Sequence, residues 1–372
     1  MTDMRIDPKV LQIDERVAHS LRTLYHRFGY CHYKMSKFEE YSLYAKNTDF
    51  LGSDSILSFT DATGKLKALK PDVTLSIISN SKDIPGQVQK LYYDENVYRV
   101  PKGSRSYKEL KQTGLECMGD IDILEICEVV MLAIKSLETI SDDYILELSH
   151  VGLLEAIFEE FNIPSNLESK VLTCISRKNA DELLLICNEA GICKEKQDKL
   201  LILMKNFNSF NEAIIALESI CDGEESKEKL EELSEILDFI EAIESQKQVK
   251  INFSLSNDMT YYSGIAFKGY VEGIPAGVLS GGQYDKLMRK MGRKSGAIGF
   301  AVYLDALQRL GMEENKYDVD IVILHDGNPK AALRAAETLS FDGTSVRVCR
   351  KTPTEIRYRQ LITIADKGDD NV

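Results

Sequence analysis

The feature that most constrains the fold is a change of sequence pattern in the middle of the chain. In the first part, short strand-like segments alternate with turns and apolar helical stretches. The periodicity then becomes helical almost throughout, before alternation returns with apolar Val249, Ile251, Phe253 and Leu255 separated by polar residues. This order predicts an α+β fold, in which an antiparallel sheet flanked by helices is interrupted by a helical insertion at about 151–246.

The same periodicities predict individual elements. The predicted elements are a helix at 9–28, two short strands or one bent strand at Lys90–Arg99, a helix at 121–138, a strand at Tyr144–Leu148 and a last helix at about 297–310. After a linker at 312–317, the sequence has the strand and helix pattern of a small α/β unit. We therefore expect two domains, at 1–311 and 318–372.

Composition narrows the possible functions. The net charge of −13 argues against the broad basic surface that binds nucleic acid. The 8 cysteines are scattered without a Cys-x-x-Cys pair, so we expect no metal site, and buried thiols in a reducing compartment. The N-terminus lacks the apolar run of a signal peptide, and no apolar stretch is long enough to span a bilayer. These features predict a cytoplasmic protein that does not bind a membrane.

Three polar clusters stand out in otherwise apolar segments, at Leu69–Thr74, Gln112–Glu116 and Asp258–Gly264. The second cluster places an amide and a carboxylate four residues apart, and an extended chain puts both on one face. The third brings two tyrosines to the end of the alternating segment. Acidic groups beside amides and phenols suit a small cationic ligand, such as an amino acid with its ammonium group. Taken singly, each cluster could equally be turn or capping chemistry.

Together, and in this order, the clusters resemble motifs of the class II histidyl-tRNA synthetase core. The resemblance extends to about residue 312, outside most of the helical insertion. The matching segments are Phe38–Tyr41 for the dimer-interface motif, Leu69–Thr74 for Leu-Arg-Pro-Glu-x-Thr, Tyr98–Arg99 for the motif 2 arginine strand, Gln112–Glu116 for Gln-x-Gly-x-Glu, Tyr261–Gly264 for Tyr-Tyr-Thr-Gly, Gly281–Asp285 for Gly-Gly-Arg-Tyr-Asp and Ile298–Ala301 for the start of motif 3.

The departures from that family concern the ATP side of the site. Amino-acid activation needs positive charge around the ATP phosphates. Ala306 stands where the family has the motif 3 arginine, and Asn257 replaces the arginine before the tyrosine pair. Arg99 remains, but the acidic residue that follows it in the family is missing. The resemblance therefore implies a vestigial phosphate side at Arg99, Asn257 and Ala306, with no catalytic residue and no cofactor.

This combination resembles the ATP phosphoribosyltransferase regulatory subunit family. The resemblance implies a subunit that activates a short catalytic subunit in the first step of histidine biosynthesis and relays feedback by L-histidine. It also implies a class II-like dimer within a hetero-oligomer. The histidine-binding residues that it implies are Asp72, Thr74, Gln112, Glu116, Tyr261, Tyr262 and Tyr284. In this assignment Glu116 and Gln112 hold the ammonium group, and Tyr262 or Asp72 meets the imidazole.

The C-terminal unit at 318–372 resembles only the first half of the synthetase's anticodon-binding domain, a strand, helix, strand and helix. A truncated domain in an acidic chain predicts that tRNA is not a ligand. Two alternatives remain open. One is a divergent but active histidyl-tRNA synthetase, in which Arg99, Lys102, Arg105 and Lys108 compensate for the lost arginines. The other is a synthetase-like sensor or adaptor with a different partner.

Overall fold

A computed structural model of the chain describes residues 11–51, 56–100, 106–243, 245, 247–258, 261–310 and 317–365. The described residues form two compact units. One spans Ile13–Arg309, and the other includes residues 11, 12, 310 and 317–365. Among the helices in the described residues, none is both long and apolar enough to cross a bilayer.

The unit at Ile13–Arg309 contains strands and helices that we number in chain order. Its strands are β1 (Cys31–His32), β2 (Phe38–Glu40), β3 (Ser58–Thr60), β4 (Leu66–Leu69), β5 (Val88–Arg99), β6 (Lys108–Gly119), β7 (Tyr144–His150), β8 (Val249–Ile251), β9 (Ile265–Val271), β10 (Leu279–Gln283) and β11 (Gly296–Tyr303). Its helices are α1 (Ile13–Arg27), α2 (Tyr41–Ala45), α3 (Thr74–Asn80), α4 (Ile123–Ile140), α5 (Val151–Phe161), α6 (Ser165–Arg177), α7 (Ala180–Glu189), α8 (Lys194–Ile202), α9 (Phe210–Glu218), α10 (Glu224–Ala242) and α11 (Asp285–Lys290).

An eight-stranded sheet forms the centre of this unit, in the order β1-β5-β6-β11-β10-β9-β7-β8. The pairings from β5 through to β7 are antiparallel, and the two outer pairs, β1 with β5 and β7 with β8, are parallel. The strands β5 and β6 pair over twelve residues each, so they provide a long rigid floor. This architecture confirms the predicted fold class, an α+β fold with a largely antiparallel sheet.

Helices α1 and α4 cover one face of the sheet. Tyr25 of α1 is fully buried, and its hydroxyl lies 3.0 Å from Ser136 Oγ of α4. The Tyr25 ring also meets the ring of Phe300 on β11 at 5.9 Å between centroids. Asp122 caps α4 in a reciprocal capping box with Glu125, which satisfies backbone donors at the start of this buried helix. Because side chains alternate along a strand, the neighbours of these covered residues point to the opposite face of the sheet.

A second, three-stranded sheet, ordered β2-β4-β3, lies beside α2 and α3 in the same unit. Immediately after β4, Lys70 is fully buried and pairs with Glu95 of β5 at 2.9 Å. A buried charge persists only when it is paired, so this ion pair ties the end of β4 to the large sheet. The connection fixes the turn between β4 and α3.

The stretch between β7 and β8 is helical, with α5 to α10 packed around their own apolar residues. In α10 leucines at three- and four-residue spacing form a buried stripe, as shown by Leu230, Leu233 and Leu237. His150 at the end of β7 caps α5, since its Nδ1 accepts a hydrogen bond from the Leu153 amide at 3.0 Å. The helical content of this segment therefore agrees with its sequence periodicity.

The second unit contains β12 (Val319–Asp326), α12 (Pro329–Ser340), β13 (Val346–Cys349) and β14 (Tyr358–Ala365). Its three strands are parallel in the order β13-β12-β14. Ile321, Ile323 and Ala332 form its small core. The fourth element is a strand, so the expected second helix is wrong. Its Tyr358–Ala365 segment pairs with the buried strand β12, and this pairing outweighs the helical expectation.

The predicted last helix at about 297–310 is also wrong. Residues Gly296–Tyr303 form β11, and a 3-10 helix follows at Leu304–Arg309. β11 lies between β6 and β10, and most of its side chains are buried whichever face they occupy. A strand that is buried on both faces gives a continuous apolar run, which periodicity alone does not separate from a buried helix.

Two further points concern strand length. The segment at Lys90–Arg99 belongs to one continuous strand, β5, which agrees with the single-strand alternative and not with two short strands. The predicted strand from Val249 to Leu255 stops at Ile251 and is followed by a 3-10 helix at Phe253–Asp258. Asn252 causes the change, because its side-chain oxygen accepts a hydrogen bond from the Ser254 amide at 3.0 Å and so starts a turn. The predicted linker at 312–317 falls mostly outside the described residues.

Candidate functional site

The face of the large sheet opposite α1 and α4 carries a cavity of about 250 Å³. Strands β5, β6, β10 and β11 contribute to its floor, and the turn between β4 and α3 forms one wall. Every predicted histidine-binding residue lines this cavity. These residues are Asp72, Thr74, Gln112, Glu116, Tyr261, Tyr262 and Tyr284. Segments far apart in the sequence are therefore brought together at one place.

Strand β6 supplies the two polar groups of the floor. Gln112 and Glu116 lie four residues apart, pair with Tyr303 and Gly299 of β11, and project into the same cavity, as the sequence predicted. Both side chains are almost completely buried. Gly299 allows Glu116 to lie where it does, since a Cβ atom at Gly299 would overlap the carboxyl group. A glycine at this register position is therefore required by the site.

The turn from β4 into α3 positions Asp72 and Thr74 beside Glu116. Asp72 Oδ1 accepts a hydrogen bond from the Leu75 amide at 2.8 Å, which holds the carboxyl at the first turn of α3. Thr74 Oγ1 donates to Glu116 Oε1 at 2.7 Å. A capping role for Asp72 was the alternative from sequence, and the structure shows that it caps the turn and lines the cavity at once.

Aromatic side chains form the remaining wall. The Tyr261 ring contacts Tyr262 at 4.9 Å between centroids, Tyr284 at 6.0 Å and Phe50 at 6.0 Å. The Tyr284 hydroxyl donates a short hydrogen bond to Glu116 Oε2. Packed rings of this kind exclude water while their hydroxyl groups stay available for polar contacts. The wall therefore strengthens any electrostatic interaction inside the cavity.

Among the described residues, more carboxyl groups than basic groups line the cavity. Burial raises the pKa of Glu116 to about 8, and the nearby Asp72 carboxylate adds to the rise, although hydrogen bonds from Tyr284 and Thr74 oppose it. Burial also raises the pKa of Asp72, against the opposing effects of the Leu75 amide and the Arg99 charge. Arg99 is the one lysine or arginine among the described residues that line the cavity. A ligand with a positive charge would relieve this imbalance.

Several contributors were not predicted as site residues. Tyr93, Asp49 and Phe50 line the cavity, and burial raises the pKa of the Tyr93 phenol well above its usual value. Tyr93 could have been found from the register of β5, because it follows the covered Tyr92 and must point to the other face. Asp49 and Phe50 lie in a 3-10 turn whose position depends on tertiary contacts, and no local signal predicts that.

The predicted phosphate-side residues are not all in the cavity. Arg99 lines it, whereas Ala306 lies in the 3-10 helix after β11 and is not among the described lining residues. The backbone of Asn257 lies in the 3-10 helix after β8, and its side chain is outside the described residues. Lys102 and Arg105 also fall outside the described residues. Lys108 is exposed on β6 and does not line the cavity. Among the described residues, no group of three or more His, Cys, Asp or Glu is arranged to hold a metal ion.

Comparisons with known proteins show the family of the chain. A family model described as histidyl-tRNA synthetase matches residues 5–307. A relative from Oceanobacillus iheyensis named ATP phosphoribosyltransferase regulatory subunit is 25% identical over 297 residues, covering 79% of this chain and 73% of the relative. One of the same name from Clostridium acetobutylicum is 26% identical over 348 residues, covering 90% of this chain and 85% of the relative.

Solved structures share the fold. An ATP phosphoribosyltransferase regulatory subunit/histidyl-tRNA synthetase from Bacillus halodurans superposes with a TM-score of 0.78 at 22% identity, covering 97% of each chain. A histidyl-tRNA synthetase from a Nostoc species gives 0.73 at 15% identity, covering 95% of this chain and 88% of that one. One chain of an ATP phosphoribosyl transferase complex from Thermotoga maritima gives 0.61 at 20% identity, covering 77% and 96%.

The family match spans most of the chain and includes the strands and turns that build the cavity. The chain therefore belongs to the histidyl-tRNA synthetase family, and the resemblance to ATP phosphoribosyltransferase regulatory subunits that its sequence predicted is confirmed by relatives of that name.

Proposed function

We propose that this chain is a non-catalytic regulatory subunit of ATP phosphoribosyltransferase that binds L-histidine in the cavity described above. In this role it activates a short catalytic subunit and relays feedback inhibition in the first step of histidine biosynthesis. The observation that carries the proposal is the charge of the cavity, where the described lining residues set the carboxyl groups of Asp49, Asp72 and Glu116 against Arg99 alone. The names of the relatives support the regulatory role.

The shape and chemistry of the cavity support histidine as the ligand. Its volume of about 250 Å³ is below the roughly 300–1,000 Å³ of pockets for drug-sized ligands, so it suits one free amino acid. Asp72 and Glu116 offer carboxyl groups to the ammonium and imidazole groups, and Gln112 offers an amide. The tyrosine wall would cover the apolar edges of the ligand. An amino acid without a second cationic or donor group would leave one buried carboxyl without a partner.

Two observations support assembly with other chains. The Thermotoga maritima structure that shares the fold is an ATP phosphoribosyl transferase complex. In this chain, Phe38 of β2 and Phe59 of β3 are 51% and 38% exposed, and their rings meet edge to face at 5.2 Å. Phe38 lies in the segment that resembles the class II dimer motif. An exposed aromatic pair there supports self-association within a larger hetero-oligomer.

Feedback requires that histidine bind two states of the assembly with different affinities. The cavity is formed by the β4–α3 turn, strands of the large sheet and the turns at Tyr261 and Tyr284. A ligand held by all of these segments would favour one relative arrangement of them. That arrangement is the means by which histidine binding would reach the partner subunit.

The decisive experiment reconstitutes the short catalytic subunit with this chain and titrates histidine. We expect activation by the wild-type chain and inhibition as histidine is added. In the Glu116→Ala variant we expect the complex and its activation to persist, and inhibition to be lost. Removing a buried carboxyl that pairs with a ligand charge costs several kcal/mol, so the concentration for inhibition should rise at least about 100-fold.

The matched control is Glu109→Ala, which removes the same side chain from the exposed end of the same strand. This variant should keep wild-type inhibition. Unchanged inhibition in Glu116→Ala would contradict the assignment of the cavity. Calorimetry that detects no histidine binding by the chain or by its complex would contradict the function as a whole.

An adaptor with a different partner remains the main alternative among regulatory roles. Co-purification from the source cell separates the two, since the present proposal requires a phosphoribosyltransferase in the isolated complex.

A further inference from the structure

We propose that Glu116 carries a proton while the cavity is empty and releases it to solvent when the positive charge of histidine enters. The inference rests on the proposed function and adds a form of regulation to the same site. It makes histidine binding, and therefore feedback, dependent on pH in the neutral range. Its basis is the position of a buried carboxyl group for which the described part of the chain offers no cationic partner.

Burial favours the neutral form of Glu116 and outweighs the opposing effect of its hydrogen bonds from Tyr284 and Thr74. The side chain is 2% exposed, so its charge is almost fully removed from water. Its hydrogen-bond partners are the hydroxyl groups of Thr74 and Tyr284, and neither carries a positive charge. Among the residues that the structure describes, none gives this carboxylate the counter-charge that a buried ion needs. Burial accordingly raises the pKa of Glu116 to about 8.

The charged and titratable groups around Glu116 come from each neighbouring segment. Asp72, at the turn before α3, opposes ionisation of Glu116. Arg99 of β5 faces Asp72, and its charge lowers the pKa of the Asp72 carboxyl, which burial raises. The phenols of Tyr93, Tyr261 and Tyr284 stay neutral, because burial raises the pKa of each well above its usual value. Asp49, Tyr262 and Tyr303 complete the titratable lining. Asp49 pairs with Lys290 at 2.6 Å, so within the described residues Glu116 is the lining carboxyl without a nearby cation to favour its charged form.

The step is balanced as a simple proton transfer. A ligand cation and the neutral Glu116 carboxyl give the ligand cation paired with the Glu116 carboxylate, and one proton passes to the buffer. The O–H bond of the carboxyl breaks, and no electron transfer is involved. Below the pKa of the empty site this proton must be removed before the pair forms, and the cost falls as pH rises. Histidine should therefore bind several-fold more tightly at about pH 8.5 than at about pH 7.

Calorimetry of histidine binding to the full-length chain, or to its complex with the catalytic subunit, tests the inference. The measurement is made at about pH 7 in two buffers of different ionisation enthalpy, which gives the number of protons released. The wild-type chain should release close to one proton more per histidine than Glu116→Gln. Because both chains bind the same ligand, this difference cancels the contribution of any proton that histidine itself gains or loses on binding.

The matched control is Asp72→Asn, the same change at a second carboxyl of the cavity. It should weaken binding and keep the proton release. Loss of the release in Asp72→Asn, with retention in Glu116→Gln, would overturn the assignment to Glu116. Histidine binding by the wild type with no such difference would overturn the inference and leave the proposed function standing, whereas absence of binding would contradict that function.

If Glu116→Gln binds too weakly for calorimetry, acid–base titration of the free proteins counts the same group. Between about pH 6.5 and pH 9 the wild-type chain should release nearly one proton more than the variant. Equal titration curves over this range would overturn the inference.

Discussion

At the scale of single residues, Glu116 is well packed and hydrogen-bonded, but its charged form is unfavourable in that position. It is buried beneath the aromatic wall and accepts hydrogen bonds from Thr74 and Tyr284. These two hydroxyl groups orient the carboxyl but do not neutralise it. Ionisation of Glu116 therefore destabilises the folded chain, and a bound ligand cation would offset that destabilisation. Strongly perturbed pKa values of this kind cluster at functional sites.

This conflict predicts the effect of Glu116→Gln on stability. Burial raises the pKa of Glu116 from a usual value of 4.5 to about 8 in the folded chain. The folded state then holds a proton that the unfolded state has lost, so the contribution of Glu116 to stability is full below about pH 4.5 and declines as pH rises toward about 8. The variant lacks this decline. Without ligand, the free energy of unfolding of the variant relative to that of the wild type should increase by roughly 2 kcal/mol from about pH 6 to about pH 8. Chemical denaturation measures this difference.

A glutamate with the opposite shift provides the control for that measurement. Burial acts to raise the pKa of Glu232 on α10, but contacts with His150 at 3.5 Å and Lys229 at 3.0 Å outweigh it and hold the pKa at about 2. Its contribution is present above about pH 4.5 and is lost only toward about pH 2. Glu232→Gln should therefore be less stable than the wild type between about pH 6 and pH 8, a change of opposite sign to that of Glu116→Gln. A gain of stability in both variants would contradict the analysis of Glu116, because it would reflect removal of a negative charge in general.

Most of the predicted ligand residues could be found from the sequence because they occur in ordered motifs. Gln112 and Glu116 are four residues apart in a strand, so the alternation of side chains was enough to place them on one face. Asp49 and Phe50 could not be found in this way. They reach the cavity through a 3-10 turn, and Phe50 meets Tyr261 from a distant part of the sequence. Only the tertiary structure determines such contacts.

At the scale of elements, β11 shows where periodicity is insufficient. Its residues were expected to form a helix because the run is apolar, and the structure places it at the centre of the sheet. Its glycines indicate close packing against neighbouring strands, which the apolar periodicity does not indicate. A Cβ atom at Gly299 would lie 2.5 Å from the Leu115 carbonyl oxygen and even closer to the Glu116 carboxyl. Close approach of strand and side chain explains why glycine is required here.

Gly299→Ala is therefore expected to push Glu116 out of its position. A Cβ contact this short cannot be accommodated without movement of β6 or of the carboxyl group. We expect histidine binding to fall at least about 10-fold, with a loss of roughly 1–3 kcal/mol in stability from overpacking. Calorimetry and denaturation measure the two effects separately.

The control for this prediction lies three residues earlier on the same strand. A Cβ atom at Gly296 would lie 3.1 Å from Asp285 Oδ1 and 3.5 Å from the nearest atoms of Ile121. These contacts are tight but involve side chains rather than the Glu116 carboxyl. Gly296→Ala should keep most of the histidine affinity. If both variants lost binding equally, the effect would reflect general damage to β11 rather than the contact with Glu116.

At the scale of the whole molecule, the order of strands, helical block and strands was enough to predict the fold class. The family match at residues 5–307 and the superpositions confirm that prediction. The C-terminal unit was predicted less well, because its last strand pairs with β12 across the unit and local sequence does not specify that partner. Parallel strands are joined by contacts distant in sequence, which single-sequence patterns do not report.

The whole-molecule question that remains is whether the chain activates histidine. Adenylation needs positive charge around the ATP phosphates. The described lining residues offer Arg99 alone, against carboxyl groups from Asp49, Asp72 and Glu116. We therefore expect histidine-dependent exchange of labelled pyrophosphate into ATP to stay at the background set by Glu116→Ala, while an active histidyl-tRNA synthetase gives a signal in the same assay. Exchange well above background that disappears in Arg99→Ala would favour a divergent synthetase, because it would show that the remaining arginine is sufficient to stabilise the transition state.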